Sequence, residues 1–206
     1  EDGDIVMFGV GTYRVACTAL GEVRLAVAKE LGLIPEGMFR GLWVIDFPMF
    51  DWNEDAGRWV SEHHPFTAPL ATHLDILESD PENCLSSGYD LVINGAEVGG
   101  GSIRIHNPEV QAKVFGLLGL SQEEAEDKFG FLLNALRFGA PPHGGVAFGL
   151  DRLVMMMIGT TNIRDVIAFP KTQTGADLMC EAPGIADPAQ LDELGIIMRQ
   201  PAESTE

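Results

Sequence analysis

Cysteine, basic residues and long apolar runs are scarce in this chain of 206 residues, and each scarcity excludes a class of protein. Its three cysteines, Cys17, Cys84 and Cys180, are odd in number and far apart in the sequence. This spacing excludes a disulfide scaffold and a paired-cysteine metal site, and it indicates a reducing compartment. No apolar run is long enough to span a membrane, and no signal peptide is present. We therefore expect a cytoplasmic protein without a membrane partner.

Positive charge is the other scarce property. Thirteen basic residues stand against 31 acidic ones, which gives a formal net charge of −18. Such a surface repels nucleic acid, so an RNA contact would have to be local or come from residues outside this chain. The apolar content of 46% is that of a globular protein with one substantial core.

The first residues predict the end of an incomplete domain. The chain starts at Glu1 rather than Met, residues 5–11 predict a short strand, and residues 13–31 have apolar residues at helical spacing before Gly32. One strand and one helix cannot enclose a core, so we expect a fragment. The predicted division is residues 1–36 as the end of one domain, 37–195 as part of a second domain and 196–206 as a tail.

Two strands are predicted next. Residues 42–50 read as a strand, and residues 58–64 as its hairpin partner across a polar turn at 51–57. Adjacent residues on a strand point to opposite faces, so His63 and His64 are poorly placed to chelate one metal ion. One of them can face a pocket, and a hydrogen-bonded histidine at a strand end is the alternative.

The pair Asn94-Gly95 between two apolar runs is the strongest short-range signal for a two-residue hairpin turn. In the register that this turn sets, Asp90 faces Gly99, and Glu97 lies opposite the residue two places after Asp90. Asp90 and Glu97 therefore share a face as diagonal neighbours. Such positions are about 7–8 Å apart, which lets both carboxylates reach one divalent ion or its waters.

An open floor is expected beside these acids. Gly99 has no side chain, so a bulky charged ligand can lie against the backbone there. Arg104 has the wrong parity to share a face with Glu97 on a regular strand, and a bulge within residues 99–101 would correct this. Two acids and an arginine on one floor suit a Mg-nucleotide and an acidic small molecule. The alternative is a solvated strand face whose charges pair with each other.

A strand that turns directly into a helix is predicted around residue 150. Residues 143–150 read as a buried strand, and residues 152–158 as a helix. The free N–H groups and positive dipole end at such a junction suit a phosphate, and Asp151 is the predicted N-cap. Arg152 opposes the dipole, so it suits a ligand phosphate or an adenine ring; an ion pair with a neighbouring acid is the alternative.

The remaining elements are read from local signals. Asn107-Pro108 predicts the start of a helix through Gly116, and a capping box at residues 121–124 starts another helix that runs to about residue 138. The later segments are predicted to be a strand at 163–170, a short helix at 187–194 and a disordered tail at 200–206.

Together these segments resemble the C-terminal part of bacterial-type aspartyl-tRNA synthetases, which are class II aminoacyl-tRNA synthetases. The matching segments are long and in order, and they are residues 42–50, 63–67, 89–107, 149–152 and 163–171. The resemblance implies an α+β fold, the class II catalytic core, in which helices flank an antiparallel sheet. That core is partial here, and residues 1–36 resemble the end of the domain that bacterial members insert within it.

The resemblance also implies a reaction: ATP and Mg²⁺ activate L-aspartate to aspartyl-adenylate, which is then transferred to tRNA. Asp90 and Glu97 match the family's acids that hold the magnesium and the ATP phosphates. Arg104 matches the arginine that binds the substrate's side-chain carboxylate, and His63 and Ser102 match residues around the bound aspartate.

The family's third signature motif matches Gly149, Leu150, Asp151 and Arg152, which the resemblance assigns to ATP binding. In that motif the arginine packs on adenine and approaches the terminal phosphate. The resemblance thus gives catalytic roles to Arg152 and Glu97, which act by positioning and charge neutralisation.

Several parts of the family pattern are missing: the anticodon-binding barrel, the first motif for dimerisation, and the second motif with its arginine for the α-phosphate. We therefore expect a homodimeric ligase whose tRNA contacts lie mainly elsewhere, and a 206-residue chain that alone is weakly active or inactive. The alternatives are a non-catalytic fragment or paralogue that binds nucleotide or amino acid, and an aspartate–ammonia ligase on the same core. The remnant of the inserted domain argues against the ammonia ligase.

Overall fold

The structure, a computed structural model, describes residues 3–35 and 37–199. The described residues form two compact units, which divide between Phe148 and Gly149. The domain boundary predicted near residue 36 stays a prediction. Within the described residues, no helix combines the length and the apolar character needed to cross a membrane.

The first unit begins with helix α1, Tyr13–Glu30, as predicted. The Thr12 hydroxyl caps it by accepting the Val15 N–H at 3.4 Å, and Gly32 follows the helix at a φ of +62°. The strand predicted at residues 5–11 is wrong, because this segment pairs with no strand among the described residues and its side chains are exposed. A strand is stable only when a neighbour takes its backbone hydrogen bonds.

Within the described residues, six strands form two antiparallel sheets. They are β1 (Gly41–Ile45), β2 (Phe50–Asn53), β3 (Arg58–Ser61), β4 (Gly88–Ile93), β5 (Ala96–Ile103) and β6 (Gly144–Phe148). The larger sheet has the order β1-β4-β5-β6, and β2 and β3 form a separate hairpin. With the helices beside it, this antiparallel sheet confirms the predicted α+β class.

The predicted hairpin partner at residues 58–64 is present as β3, but the predicted first strand, 42–50, is wrong: only Phe50 of that segment pairs with β3, opposite Ser61. Strand β1 pairs with β4, while β2 pairs with β3, so that Trp52 faces Trp59. Asp46 has a φ of +59° and ends β1, and Pro48 cannot donate to a sheet ladder. What reads as one strand in the sequence is therefore two.

Helices α2 (Pro108–Leu117) and α3 (Gln122–Arg137) follow β5, as predicted. Asn107 caps α2, and Ser121 and Glu124 form the predicted capping box of α3. The core joins the β2–β3 hairpin to α2, and its buried members are Met49, Phe50, Leu77, Cys84, Ile105, Val114 and Leu118. This core holds α2 beside the segment that follows β3.

The second unit contains α4 (Leu150–Met157) and α5 (Pro188–Glu193), which is the short helix predicted there; the Asp187 side chain caps α5 by accepting the Ala189 N–H. The strand predicted at 163–170 is wrong. Asn162 accepts the Arg164 N–H at 3.2 Å and donates to Asp165 at 2.9 Å, and these local bonds favour the observed turn of 3₁₀ helix, Ile163–Asp165. The predicted tail at 200–206 lies outside the described residues.

Candidate active site

The β4–β5 hairpin turns at Asn94 and Gly95, both at positive φ, as the sequence predicts. Val92 faces Glu97, also as predicted. One residue further the pairing shifts, so that Leu91 faces Gly99. The intervening residue, Val98, is the extra residue of a β-bulge.

This bulge moves the expected partner of Asp90. Asp90 faces Gly100 and not Gly99, so the predicted register is wrong by one residue from this point on. The physical reason is the burial of Val98, which has 1% of its surface exposed. Val98 occupies one position of β5 without pairing with a residue of β4, so every later pair is shifted by one. Gly99 lies on the opposite face, where a Cβ would come within 2.7 Å of the Phe148 ring.

The same bulge brings four predicted site residues to one face. Asp90 and Glu97 lie on that face through their pairing, and beyond the bulge the alternation continues to Ser102 and Arg104. The bulge that was predicted to put Arg104 on the same face as Glu97 is therefore present, but it falls at Val98, one residue before the predicted range of 99–101. This common face is called the site face.

Gly100 gives the Asp90 carboxylate its place on the site face. A Cβ built on Gly100 would collide with Oδ1 of Asp90. The space that we expected a ligand to take above a glycine is thus taken by a protein carboxylate, which leans toward the strand that carries Glu97.

Arg104 is held at the end of β5 by its neighbours on two sides. Its Nη1 donates to Ser102 Oγ at 2.5 Å, and its backbone N–H donates to the His143 carbonyl at 2.9 Å. Ser102 and Thr67 are each 2% exposed, and the Thr67 hydroxyl donates to Ser102 Oγ at 3.4 Å. The guanidinium is therefore backed by a buried pair of hydroxyl groups.

His63 also lies over the site face. Its ring is 3.4 Å from the point where a Cβ on Gly88 would lie, and Gly88 faces Ser102 in the strand register. Phe47 packs against the ring edge-to-face, with centroids 4.7 Å apart. The structure thus brings His63 to the same face as Asp90 and Ser102.

His64 is a site residue that the sequence reasoning missed. Its Nε2 contacts Arg104 Nη1, and its Nδ1 accepts the Phe66 N–H at 3.2 Å. Burial lowers the pKa of His64 below its ordinary value of 6.5, and the nearby charges of Arg104 and then His63 lower it further. Because β3 ends at Ser61, the strand alternation used for the two histidines does not apply. The adjacent histidines were the only available signal.

The predicted junction between strand and helix is present, since β6 ends at Phe148 and α4 begins at Leu150. The predicted cap is wrong: Gly149 is the N-cap, without a side-chain hydrogen bond, and Asp151 lies in the first turn. The helix begins two residues earlier than the apolar spacing indicated, at Leu150 instead of Arg152. An acid in the first turn is still favourable with the helix dipole. Arg152 is exposed in the second unit, while Asp90, Glu97, Ser102 and Arg104 lie in the first.

Comparison with known proteins gives the family. The model of the tRNA synthetases class II (D, K and N) matches residues 14–173. The chain belongs to this class II tRNA synthetase family. It is 55% identical over 196 residues to the Aspartate--tRNA(Asp/Asn) ligase of Syntrophotalea carbinolica, covering 95% of this chain and 33% of that protein. The class II chain thus spans about a third of the length of this curated relative.

A solved structure supports the fold of this class II chain. The asparaginyl-tRNA synthetase of Entamoeba histolytica matches it with a TM-score of 0.51 and 21% identity, over 84% of this chain and 38% of that one. At this identity the likeness shows the fold alone. The predicted resemblance to aspartyl-tRNA synthetases and the predicted class II catalytic core are confirmed.

The magnesium that the family implies can be tested against the donor set on the site face. Asp90 and Glu97 are its two carboxylates, and Oδ1 of Asp90 fills the cradle that Gly100 leaves. Within residues 3–35 and 37–199, no group of three or more His, Cys, Asp or Glu side chains is arranged to hold a metal ion. Magnesium is commonly bound by one or two carboxylates together with substrate phosphates. The pair therefore fits an ion that arrives with a nucleotide, and not a cage made by the protein alone.

Proposed function

We propose that this chain carries the aspartate site and part of the ATP site of an aspartate-tRNA ligase. The reaction is activation of L-aspartate by ATP to aspartyl-adenylate, followed by transfer to tRNA. The observation that carries the proposal is the β4–β5 bulge, which puts Asp90, Glu97, Ser102 and Arg104 on one face. Opposite charges on one sheet face suit two substrates, one with a side-chain carboxylate and one with a magnesium-bound triphosphate.

Arg104 is the proposed ligand of the substrate's side-chain carboxylate. Its guanidinium is already oriented by Ser102 Oγ at 2.5 Å, so little side-chain entropy remains to be lost on binding. A planar guanidinium can donate two parallel hydrogen bonds to a carboxylate. His63 and Ser102, on the same face, are proposed to line the aspartate pocket.

Asp90 and Glu97 are the proposed holders of Mg²⁺ with ATP. When bound, the ion would neutralise charge on the phosphates. The two carboxylates would hold the ion at a fixed place on the sheet, because β4 and β5 each pair with a strand on both sides within the larger sheet. Glu97 thereby has a catalytic role through positioning and electrostatics, without a covalent intermediate.

Gly149, Leu150, Asp151 and Arg152 are the proposed remainder of the ATP site. They lie at the N-terminal end of α4, where backbone N–H groups and the helix dipole favour an anion. Arg152 is proposed as the second catalytic residue, with its guanidinium on the adenine ring and near the terminal phosphate.

The proposed partners follow from the same assignment. The Syntrophotalea carbinolica relative is named as a ligase for tRNA(Asp/Asn). We propose that the full-length ligase to which these 206 residues belong also binds tRNA. With a net charge of −18, most of its contacts to tRNA are proposed to lie outside these 206 residues. A homodimer in the cytoplasm is the proposed state of the full-length ligase.

The test is aspartate-dependent exchange of pyrophosphate into ATP, measured beside direct binding of L-aspartate and Mg-ATP. We expect weak or no exchange by the chain alone, with both ligands still bound, and loss of aspartate binding in Arg104→Ala. Arg137→Ala is the matched control, because it removes an exposed arginine of α3 that pairs with Glu126. A chain that binds no aspartate, or an Arg104→Ala variant that binds it normally, would contradict the proposal.

A further inference from the structure

Gln111 on α2 is fully buried, with 0% of its surface exposed, although its side chain is polar. Its Nε2 donates to the Pro65 carbonyl at 2.8 Å. Its Oε1 is buried and has no hydrogen-bond partner in the part of the chain that the structure describes. A methionine of similar size would avoid the cost of burying that oxygen. The feature that distinguishes Gln111 from an apolar residue is therefore its donor to Pro65.

The peptide group between Pro65 and Phe66 connects this donor to the site. Its carbonyl accepts from Gln111, and its N–H, on Phe66, donates to His64 Nδ1 at 3.2 Å. Both ends belong to one planar unit, so a change in the direction of the carbonyl turns the N–H as well. The proline ring already fixes φ on the Pro65 side, which leaves ψ of Pro65 as the main freedom that Gln111 restrains.

His64 completes the connection to Arg104. While Nδ1 faces the Phe66 N–H, Nε2 contacts Arg104 Nη1. The backbone carbonyl of Phe66 also accepts the Ile105 N–H at 3.0 Å, which fixes the segment against the end of β5. A rotation of the Pro65–Phe66 peptide would therefore move the His64 ring against the guanidinium.

We propose that Gln111 is a positioning residue for the aspartate pocket, which acts through the Pro65–Phe66 peptide and His64 on Arg104. The inference rests on the proposed role of Arg104 as the ligand of the substrate carboxylate. Because the Gln111 side chain is fully buried, it acts through these contacts. Its effect is confined to aspartate, because Asp90 and Glu97, the proposed magnesium ligands, lie outside this series of contacts.

The experiment compares Gln111→Met with Val114→Ala in the whole 206-residue chain. Val114 lies on the same helix and is also 0% exposed, but it packs in the apolar core and does not touch the Pro65 carbonyl through a polar group. Binding is followed by NMR titration with L-aspartate and, separately, with Mg-ATP. We expect aspartate affinity to fall about tenfold in Gln111→Met, because one of the hydrogen bonds that connect Gln111 to Arg104 is lost. In Val114→Ala it should stay within about twofold of the native value.

Two further readouts separate positioning from a general loss of stability. Mg-ATP affinity should be unchanged in both variants, and the ¹⁵N signals of the His64 ring should shift only in Gln111→Met. If Gln111→Met does not fold, Gln111→Leu removes the same donor and carries the same expectation. In a His64→Ala background, Gln111→Met should cause no further loss of aspartate affinity, because the connection is already broken.

The outcomes distinguish this inference from the proposed function. Aspartate binding that is lost in Arg104→Ala but normal in Gln111→Met would overturn the positioning role alone. An equal loss of aspartate affinity in Val114→Ala would do the same. Normal aspartate binding by Arg104→Ala would instead overturn the proposed function, and the positioning role with it.

Discussion

Oδ1 of Asp90 occupies the space in which a Cβ on Gly100 would lie. The two residues face each other across β4 and β5 only because the bulge at Val98 shifts the register by one. The carboxylate proposed to hold magnesium is therefore placed by a missing side chain on the neighbouring strand. That dependence gives the first test.

Gly100→Ala should displace the Asp90 carboxylate from β5. We expect a loss of about 1–3 kcal/mol in the free energy of unfolding, as for other overpacked sites, together with weaker Mg-ATP binding. Urea denaturation and titration with Mg-ATP measure the two effects. Gly130→Ala is the matched control: it lies inside α3, its Cβ would have only an ordinary contact at 3.6 Å, and it should stabilise the chain by about 0.5–1 kcal/mol. Equal behaviour of the two variants would show that Gly100 is not needed for the carboxylate.

The lowered pKa of His64 predicts that the folded chain loses stability on mild acidification. Its pKa in the folded chain is below 6.5, chiefly through burial, so the folded state resists protonation more than the unfolded state does. The stabilising contribution is complete above pH 6.5 and is lost as the pH falls through the lowered pKa of the folded state. Urea unfolding at about pH 7.5 and about pH 5 should show this decrease, and His64→Gln should show a smaller one. The same decrease in both chains would assign the effect to other groups.

Asp177 in the second unit should titrate far below an ordinary aspartate. Its pKa is lowered from 3.8 to about 2 by the Lys171 ammonium at 2.6 Å and by the backbone N–H groups of Cys180 and Met179. The stability that it contributes is present above pH 3.8 and is lost as the pH falls through about 2. Carboxyl ¹³C NMR should place its midpoint near 2 in the native chain and higher in Lys171→Met. An unchanged midpoint in Lys171→Met would show that the ammonium is not the cause.

The thiols should differ sharply in reactivity. Cys17 and Cys180 are exposed, whereas Cys84 is buried, and burial followed by the charge of Asp80 raises the pKa of its thiol to about 11. Because the thiolate is the reactive form, alkylation of Cys84 by iodoacetamide at about pH 8 should be on the order of 100-fold slower than that of the other two. Peptide mass spectrometry over a time course measures all three rates. Comparable rates would contradict the buried placement of Cys84.

Local signals predicted the parts of the fold that depend on neighbouring residues. The Asn94-Gly95 turn, the Asn107 cap, the capping box at Ser121 and the short helix after residue 187 are all confirmed, because each is made within a few residues of sequence. The strands predicted at 5–11 and 163–170 are wrong, since a strand requires a distant partner that its own sequence does not specify.

In the site, too, the features made by neighbouring residues were predicted, and those that depend on burial or on distant residues were not. Its residues on the hairpin were predicted because the turn sets their register, but the bulge falls at Val98 and not in the glycine run, since burial of that side chain decides its place. The contact between His64 and Arg104 joins residues 40 positions apart, and no local pattern encodes it. The magnesium role of Asp90 came from the hairpin geometry and from the family resemblance, the carboxylate role of Arg104 came from the resemblance, and both stay proposals.

The central claim is that Arg104 and the acids of the site face form one site for aspartate and magnesium-bound ATP. Calorimetric titration with a non-hydrolysable sulfamoyl analogue of aspartyl-adenylate tests it most directly, because the analogue needs no catalysis by the chain. We predict that the native chain binds it, that Arg104→Ala weakens binding by about tenfold or more, and that Arg137→Ala leaves it unchanged. No binding to the native chain, or equal binding by the native chain and Arg104→Ala, would contradict the account.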